Sequence, residues 1–475
     1  MRYLEIFKQL NAIPRPSHHE ERVADFLCQF AQQLGLEYDR DDHNCVVIRK
    51  AATPGHEGAT PIVILNHMDM VCVAEAGKDF DPLNDPIEAY VDGDWMRARG
   101  TSLGADNGIG LSMALAILED DSIVHGPLEV ITTTNEEDGM TGAANLSADF
   151  IKGRKVINLD SEDYDTITTG AAGAYLQIHH LPLTRVPAPS GKLRWYNIDI
   201  EGGRGGHSGV DINKGRASAT TLMWGLLSAI GDDEVVNLSE LSIGEANASI
   251  ASSAHAVICI DEAGSDLLKA REQHFNEWLR DEYGATDPNW RCRITDAAPN
   301  KNVINSDDVD ALLTALEQIP QGVVKMSETM TDTVETSNNV GRITADKREF
   351  TISTHTRSFI EQDMIQLGEA IKEAFAEQGA STELVMSAPA WQENQHSDFL
   401  QLTSDTFNDV LGWRPRMVAM HFVLEAGFFV QKYPGIEMAS IGPRIVEPHS
   451  TGEHVKLSTC EDIWKVTIEL LRRLA

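Results

Sequence analysis

An α/β protein with a mixed, mostly parallel central sheet flanked by helices, plus an inserted α+β domain, is predicted by three observations. Apolar, β-branched runs end in polar, ligand-type residues: PIVILN before His67, LEVITTTN before Glu136, and KVINL before Asp160. These runs alternate with helical patterns, the order expected of buried strands in an α/β sheet. A long stretch of different character follows Asp163, and a ligand-type segment, PHSTGEHV, returns only at residues 448–455.

Taken in order, residues 3–14 and 18–35 read as helices. His18, His19, Glu20 and Glu21 lie near the start of the second, whose apolar stripe holds Val23, Phe26, Leu27, Phe30 and Leu34. Residues 108–119 (GIGLSMALAILE) read as an amphipathic helix, with Asp106 near its N-terminus. Three prolines and a Ser-Gly pair in residues 181–192 (LPLTRVPAPSGK) read as a linker. Beyond it, WYNIDIEGG, HAVICID and REFTISTHTRS read as strands, and GRASATTLMWGLLSAIG, 265–283 and 360–379 as helices. Residues 386–394 read as the return crossing. The expected domains are 1–187 and 389–475 as two pieces of one domain, with 188–388 inserted between them.

A chain of 475 residues exceeds what one core usually supports, in keeping with two domains. Lys plus Arg is 39 against 73 Asp plus Glu, a net charge of −34, which argues against nucleic acid and anionic membranes as partners. No signal peptide or membrane-spanning helix is expected. The six scattered cysteines form no CxxC pair, so free thiols in a reducing cytoplasm are expected.

Five segments carry the chemistry: NHMD, GADNG, NEEDG, NLDSED and PHSTGEHV. Strand C-termini are where open α/β sheets place their sites. In H-x-D at a strand end, alternate residues share a side. His67 can therefore face a cation while Asp69 holds its other nitrogen. Asp106 follows a glycine-bearing turn beside a helix N-terminus, the setting of a helix cap or of a carboxylate between two cations. Glu136 and Glu137 are adjacent and point apart, so one can be a ligand and the other a base. Asp160 and His449 are further ligand types. Each segment alone is more common as ordinary polar structure; order, placement and complementary chemistry together suit a two-metal hydrolytic centre.

These segments, with FKQLNAIPRPSHHEERVADFL, GGRGGHSGVDI and VETSNNVG, resemble the di-zinc exopeptidases and deacylases that include acetylornithine deacetylase, carboxypeptidase G and the carnosinases. The resemblance spans essentially the whole chain. It implies two divalent cations per subunit, zinc by preference, with manganese or cobalt as alternatives. It implies His67, Asp106 and Asp160 on one, and Asp106, Glu137 and His449 on the other. Glu136 would be the general base, acting on a water bridging the metals, and Asp69 the partner of His67. The inserted domain would be a lid and dimerisation domain, with His207 at the reacting carbonyl. Arg357 would sit on the substrate carboxylate, and Asn247 would be a further substrate contact. In MHFVLEAGFF, His421 and Glu425 become candidate pocket residues. The segment around Asn247 lacks the family's usual proline, and Phe422 and Ala426 depart from the expected residues. The implied activity is hydrolysis of Xaa-His and other unblocked dipeptides by a cytoplasmic homodimer. A tripeptidase or N-acyl amino acid deacylase is the alternative.

Overall fold

The run IVILNH forms a strand, Ile62–His67, with all six residues buried. Each fully buried aliphatic side chain in such a strand contributes about 1.5–3 kcal/mol. In the computed structural model, which describes residues 1–231, 234–394 and 397–475, this strand is central to an eight-stranded sheet. Leu128–Thr133 and Lys155–Asn158 flank it in parallel, with His67 opposite Thr133 and Leu65 opposite Asn158. Glu437–Ser440 extends the parallel core beside Lys155–Asn158. Val46–Lys50 and Glu37–Arg40 add antiparallel strands beyond Leu128–Thr133. The three ligand-bearing strands therefore end side by side on one edge.

The chain divides into two compact units. The first is Met1–Ala171, Glu393–Ala419 and Leu424–Ala475; the second is Ala172–Gln392 with Met420–Val423. The division falls at residue 171, before the expected 187, because Gly173–Pro182 is a ten-residue strand paired with Glu349–Ser358 and Ser381–Ala388. The expected linker is accordingly structured. Leu181 and Pro182 end that strand, and Arg185–Pro187 pairs with Asn302–Ile304. Pro182 sits at a strand end and Pro187 on a short two-stranded ribbon, where a missing N–H is tolerated.

In the first unit, Ala105–Glu119 is not amphipathic: Ala105 through Leu118 are all buried. It packs against the Ile62–His67 and Leu128–Thr133 strands and against the helices Arg2–Asn11 and Leu457–Leu474. A helix enclosed on all sides has no polar face to display. The second predicted helix begins at Glu21, because His18 adopts a left-handed backbone, φ 69°. A four-stranded sheet carries the late ligand segment: residues 447–453 connect Ile445–Val446 to His454–Lys456, which pairs with Trp95–Ala98.

The second unit is a nine-stranded antiparallel sheet. Its core joins Ile198, Ile258, Ile343 and Phe350 to the helices Ala219–Gly231, Ser265–Tyr283, Ser306–Gln318 and Glu361–Glu377. Among the described residues, no helix is long and apolar enough to cross a membrane.

Candidate active site

At the C-terminal edge of the first unit's sheet, the five predicted ligands converge. His67 Nε2 lies 3.2 Å from Asp106 Oδ1 and 3.3 Å from Asp160 Oδ1. His449 Nε2 lies 3.2 Å from Asp106 Oδ2 and 2.8 Å from Glu137 Oε2. Asp106 therefore offers one oxygen to each histidine. Asp69 Oδ1 stands 3.4 Å from the opposite nitrogen of His67.

Local backbone structure explains these positions. Asp69 is fully buried, accepting from Ser17 Oγ at 2.7 Å and from the amides of Glu136 and Glu137 at 3.1 and 3.2 Å. One carboxylate thus links the His67 strand to the NEEDG turn. That turn starts at Asn135, φ 54°, whose amide donates to Glu20 Oε1 at 2.9 Å. Asn107 Nδ2 donates to Asp160 Oδ1 and, at 3.1 Å, to the Leu159 carbonyl. Arg15, 1% exposed, donates to the carbonyls of Met68, Asp69 and Gly104. Glu453, 3% exposed, accepts from the amides of Leu103, Gly104, Ala105 and Asp106.

Electrostatics follow from packing many acids into little solvent. Burial, then neighbouring carboxylates, push the Glu136 carboxyl well above its ordinary range despite His67. Burial raises Glu137 to about 7, Glu162 to about 8 and Glu425 to about 8, again with nearby acids adding to it. Burial also opposes ionisation of Asp106, but hydrogen bonds from His449 and His67 outweigh it and hold that carboxyl low. Hydrogen bonds to Asp106 and Glu137 in turn lift His449 to about 11. For Asp69, burial is outweighed by His67, Ser17 and the Glu136 amide, which keep it ionised. Glu137 Oε1 and Glu425 Oε1 are buried without a hydrogen-bond partner among the described residues.

This donor set fits divalent cations. His67, Asp106 and Glu137 offer ligand atoms within 4.8 Å of one another, and so do Asp106, Glu162 and His449. Imidazole nitrogens with carboxylate oxygens suit Zn²⁺, and Mn²⁺ or Co²⁺ share them. A cation also relieves the crowding that raises Glu137 and Glu162. Glu162 was missed as a candidate, although it lies in NLDSED. Glu137 Oε2 lies 2.8 Å from His449 Nε2, and Glu162 offers an atom within 4.8 Å of His449, so two carboxylates stand near that histidine.

In the second unit, Arg357 lies against the segment that carries His207, and the Asn247 segment runs beside it. Ser208 donates its amide to the Ala248 carbonyl at 3.0 Å, and His207 bridges to Ser249, so the His207 and Asn247 segments run side by side. The Asn247 residue occupies the turn after Asn237–Ile243. His207 Nδ1 accepts from the amides of Gly209 and Val210, both at 3.1 Å, which leaves the proton on Nε2. Arg357 is 3% exposed, with Nε and Nη2 each 3.4 Å from Ser208 Oγ and Nη2 3.5 Å from His355 Nδ1. Among the described residues no carboxylate pairs with it, and burial lowers its pKa to about 10. His355, two residues before Arg357 on the same strand face, went unremarked in the sequence. Burial and the Arg357 charge keep it neutral. Burial, Arg357 and His207 lower His421 to about 3, and its Nε2 meets Ser337 Oγ at 2.8 Å. Glu425 instead belongs to the first unit, where Thr133 Oγ1 donates to its Oε2 at 2.7 Å.

Histidines and carboxylates gathered at parallel strand ends, with a separate antiparallel unit, mark a metal-type hydrolase architecture. Residues 63–475 match peptidase family M20/M25/M40, and the chain belongs to that family. It is 34% identical over 470 residues to the cytosol non-specific dipeptidase of Escherichia coli K12, covering 99% of this chain and 97% of that protein. The crystal structure of aminoacylhistidine dipeptidase from Vibrio alginolyticus superposes with a TM-score of 0.93 at 33% identity, covering 99% of this chain and 96% of that one. Aminopeptidase PepT from Bacillus cereus shares the fold, with a TM-score of 0.62 at 17% identity over 100% and 98% of the two chains.

Proposed function

We propose that this family member is a dipeptidase acting on unblocked dipeptides, Xaa-His among them, with two divalent cations, zinc by preference. The observation that carries the reading is Asp106, set 3.2 Å from His67 on one side and 3.2 Å from His449 on the other. His67, Asp106 and Asp160 would hold one cation; Asp106, Glu137 and His449 would hold the other. Bound there, the cations supply a Lewis acid for the scissile carbonyl and a lowered pKa for water.

The chain's own groups do the rest. Glu136 takes the water proton and passes it to the leaving amine. Its raised proton affinity favours holding that proton between the two transfers. Asp69 fixes the orientation of His67. His207 presents Nε2–H to the developing oxyanion. Arg357, buried without an acid, receives the substrate's terminal carboxylate through parallel N–H donors, and Asn247 adds a further contact. The second unit then serves as a lid whose closure assembles these groups. We read the enzyme as a homodimer. Exposed Leu384, Val385 and Met386 on the edge strand Ser381–Ala388 support this, since bare apolar edges are otherwise a liability. We read it as cytoplasmic, supported by six free cysteines and the cytosolic name of the E. coli relative.

The test is a substrate panel on purified protein with and without chelator. Xaa-His dipeptides should be cleaved, cleavage should stop on chelation, and Zn²⁺ or Mn²⁺ should restore it. Faster turnover of N-acetyl amino acids or tripeptides would overturn the dipeptidase reading.

A further inference from the structure

The two cation positions of the proposed reading share Asp106, which sits in the irregular first turn of the Ala105–Glu119 helix and not on a strand. Gly104, φ +67°, precedes it, and the backbone at Asp106 and Asn107 is itself non-helical. Something outside the turn must hold it, and two buried side chains grip it with opposite charges.

Arg15 grips the carbonyl side. Its Nη2 donates to Gly104 O at 2.6 Å, while Nη1 donates to Met68 O at 3.1 Å and Asp69 O at 3.0 Å. One guanidinium therefore connects the segment after His67 to the segment before Asp106. The fit is close: a Cβ at Gly104 would lie 2.5 Å from Arg15 Nη2, and one at Gly108 would lie 2.6 Å from it. Glu453 grips the amide side. Its Oε2 accepts from Leu103 and Gly104 at 2.7 and 2.9 Å, and Oε1 from Ala105 and Asp106 at 2.7 and 3.4 Å. Glu453 lies on the same connection as His449, between Ile445–Val446 and His454–Lys456. It therefore ties the His449 segment to the Asp106 turn.

We infer that Arg15 and Glu453 are positioning residues with separate duties: Arg15 sets the spacing of His67 and Asp106, and Glu453 sets the spacing of Asp106 and His449. Each brace governs one cation position. Neither side chain is a ligand in the proposed set. Both act through the backbone that carries the ligands, which is how outer groups tune metal sites.

The inference rests on the two-cation reading, and stepwise metal binding tests it apart from that reading. Chelated wild-type protein is titrated with Zn²⁺ by calorimetry, with metal content measured after dialysis, beside Glu453→Gln and Arg15→Lys. Wild type should bind two ions; binding none or one would count against the two-cation reading itself. Glu453→Gln keeps the shape but turns an N–H donor toward backbone N–H groups. It should weaken one step by about tenfold or more, with the other step changed by less than about threefold. Arg15→Lys should weaken the other step. The assignment of steps comes from His449→Ala and His67→Ala, each of which should remove the step its brace weakens. Equal weakening of both steps by both variants, or of neither, would overturn the inference.

Hydrogen exchange on chelated wild type covers the case in which a variant fails to fold. The amides of Leu103, Gly104 and Ala105 should be protected before any metal is added, because Glu453 already holds them. Exchange at the rate of an open loop until Zn²⁺ is added would equally overturn it.

Discussion

The acidic cluster of the first unit and the Arg357 cluster of the second are electrostatic opposites. Around Asp106 the chain buries more carboxylates than its histidines neutralise, and burial, with the neighbouring acids adding to it, raises Glu137 to about 7 and Glu162 to about 8. Around Arg357 it gathers neutral histidines and hydroxyls, and among the described residues no acid answers the buried guanidinium. An unpaired buried charge costs several kcal/mol, so neither arrangement is explained by stability. On the proposed reading, the difference teaches that each unit is built for the charge it lacks: cations in the first, a carboxylate in the second.

The largest effect expected from breaking this contrast is at Glu136. Glu136→Gln removes the proposed proton carrier and none of the proposed ligands. It should lower kcat by roughly 10²–10⁴-fold with two metals retained, checked by steady-state kinetics and metal content. Near-normal turnover would assign the base elsewhere. Next is Arg357. Arg357→Met should lower kcat/KM for dipeptides by about a hundredfold, as expected for about 1.5–3 kcal/mol in hydrogen bonds to a charged group. The same variant should barely change any residual cleavage of dipeptide amides, which lack the carboxylate. Equal losses on both substrates would detach Arg357 from carboxylate recognition.

The smallest effect is on acid stability of the second unit. Burial first, and then His180, lowers His179 to about 3, while His421 is lowered to about 3 chiefly by burial and then by Arg357. Unfolded, both titrate near pH 6.5. Below that pH the unfolded chain binds protons that the folded unit refuses. Stability is therefore lost as pH falls from about 6.5 towards about 3, by at most about 1.4 kcal/mol per pH unit for each histidine, and is unaffected above that window. Hydrogen exchange of second-unit amides at pH 7.5 and 5.5 should show the loss, and His179→Gln should reduce it. An unchanged pattern in that variant would remove His179 as a cause.

The parallel strands and the candidate ligand residues at their ends were legible in the sequence because both are written locally. A β-branched run announces a buried strand, and the residue just past it announces what the strand end presents. The enclosed helix Ala105–Glu119 was misjudged because its lone polar positions, such as Ser112, are satisfied internally, by the Gly108 carbonyl at 2.6 Å. The proline-rich stretch after residue 181 resembled a linker because pairing between Arg185–Pro187 and Asn302–Ile304 spans more than a hundred residues of sequence. Arg15, Glu162, His355 and Glu453 escaped notice for a related reason. Their meaning lies in which distant backbone or side chain they meet; Glu162 and Glu453 sit inside NLDSED and PHSTGEHV, yet those segments do not show which partner each takes.

Arg15 also changes how the family match is to be read. That match begins at residue 63, yet three side chains that shape the acidic cluster, those of Arg15, Ser17 and Glu20, precede it. A chain trimmed to the shared family region would keep all five proposed ligands. It would lose Arg15, one of the two side chains gripping the Asp106 turn, together with the Ser17 hydroxyl on the Asp69 carboxylate and the Glu20 carboxylate on the Asn135 amide. The first sixty-two residues thus supply contacts on which the geometry of the proposed site leans, although they lie outside the matched stretch.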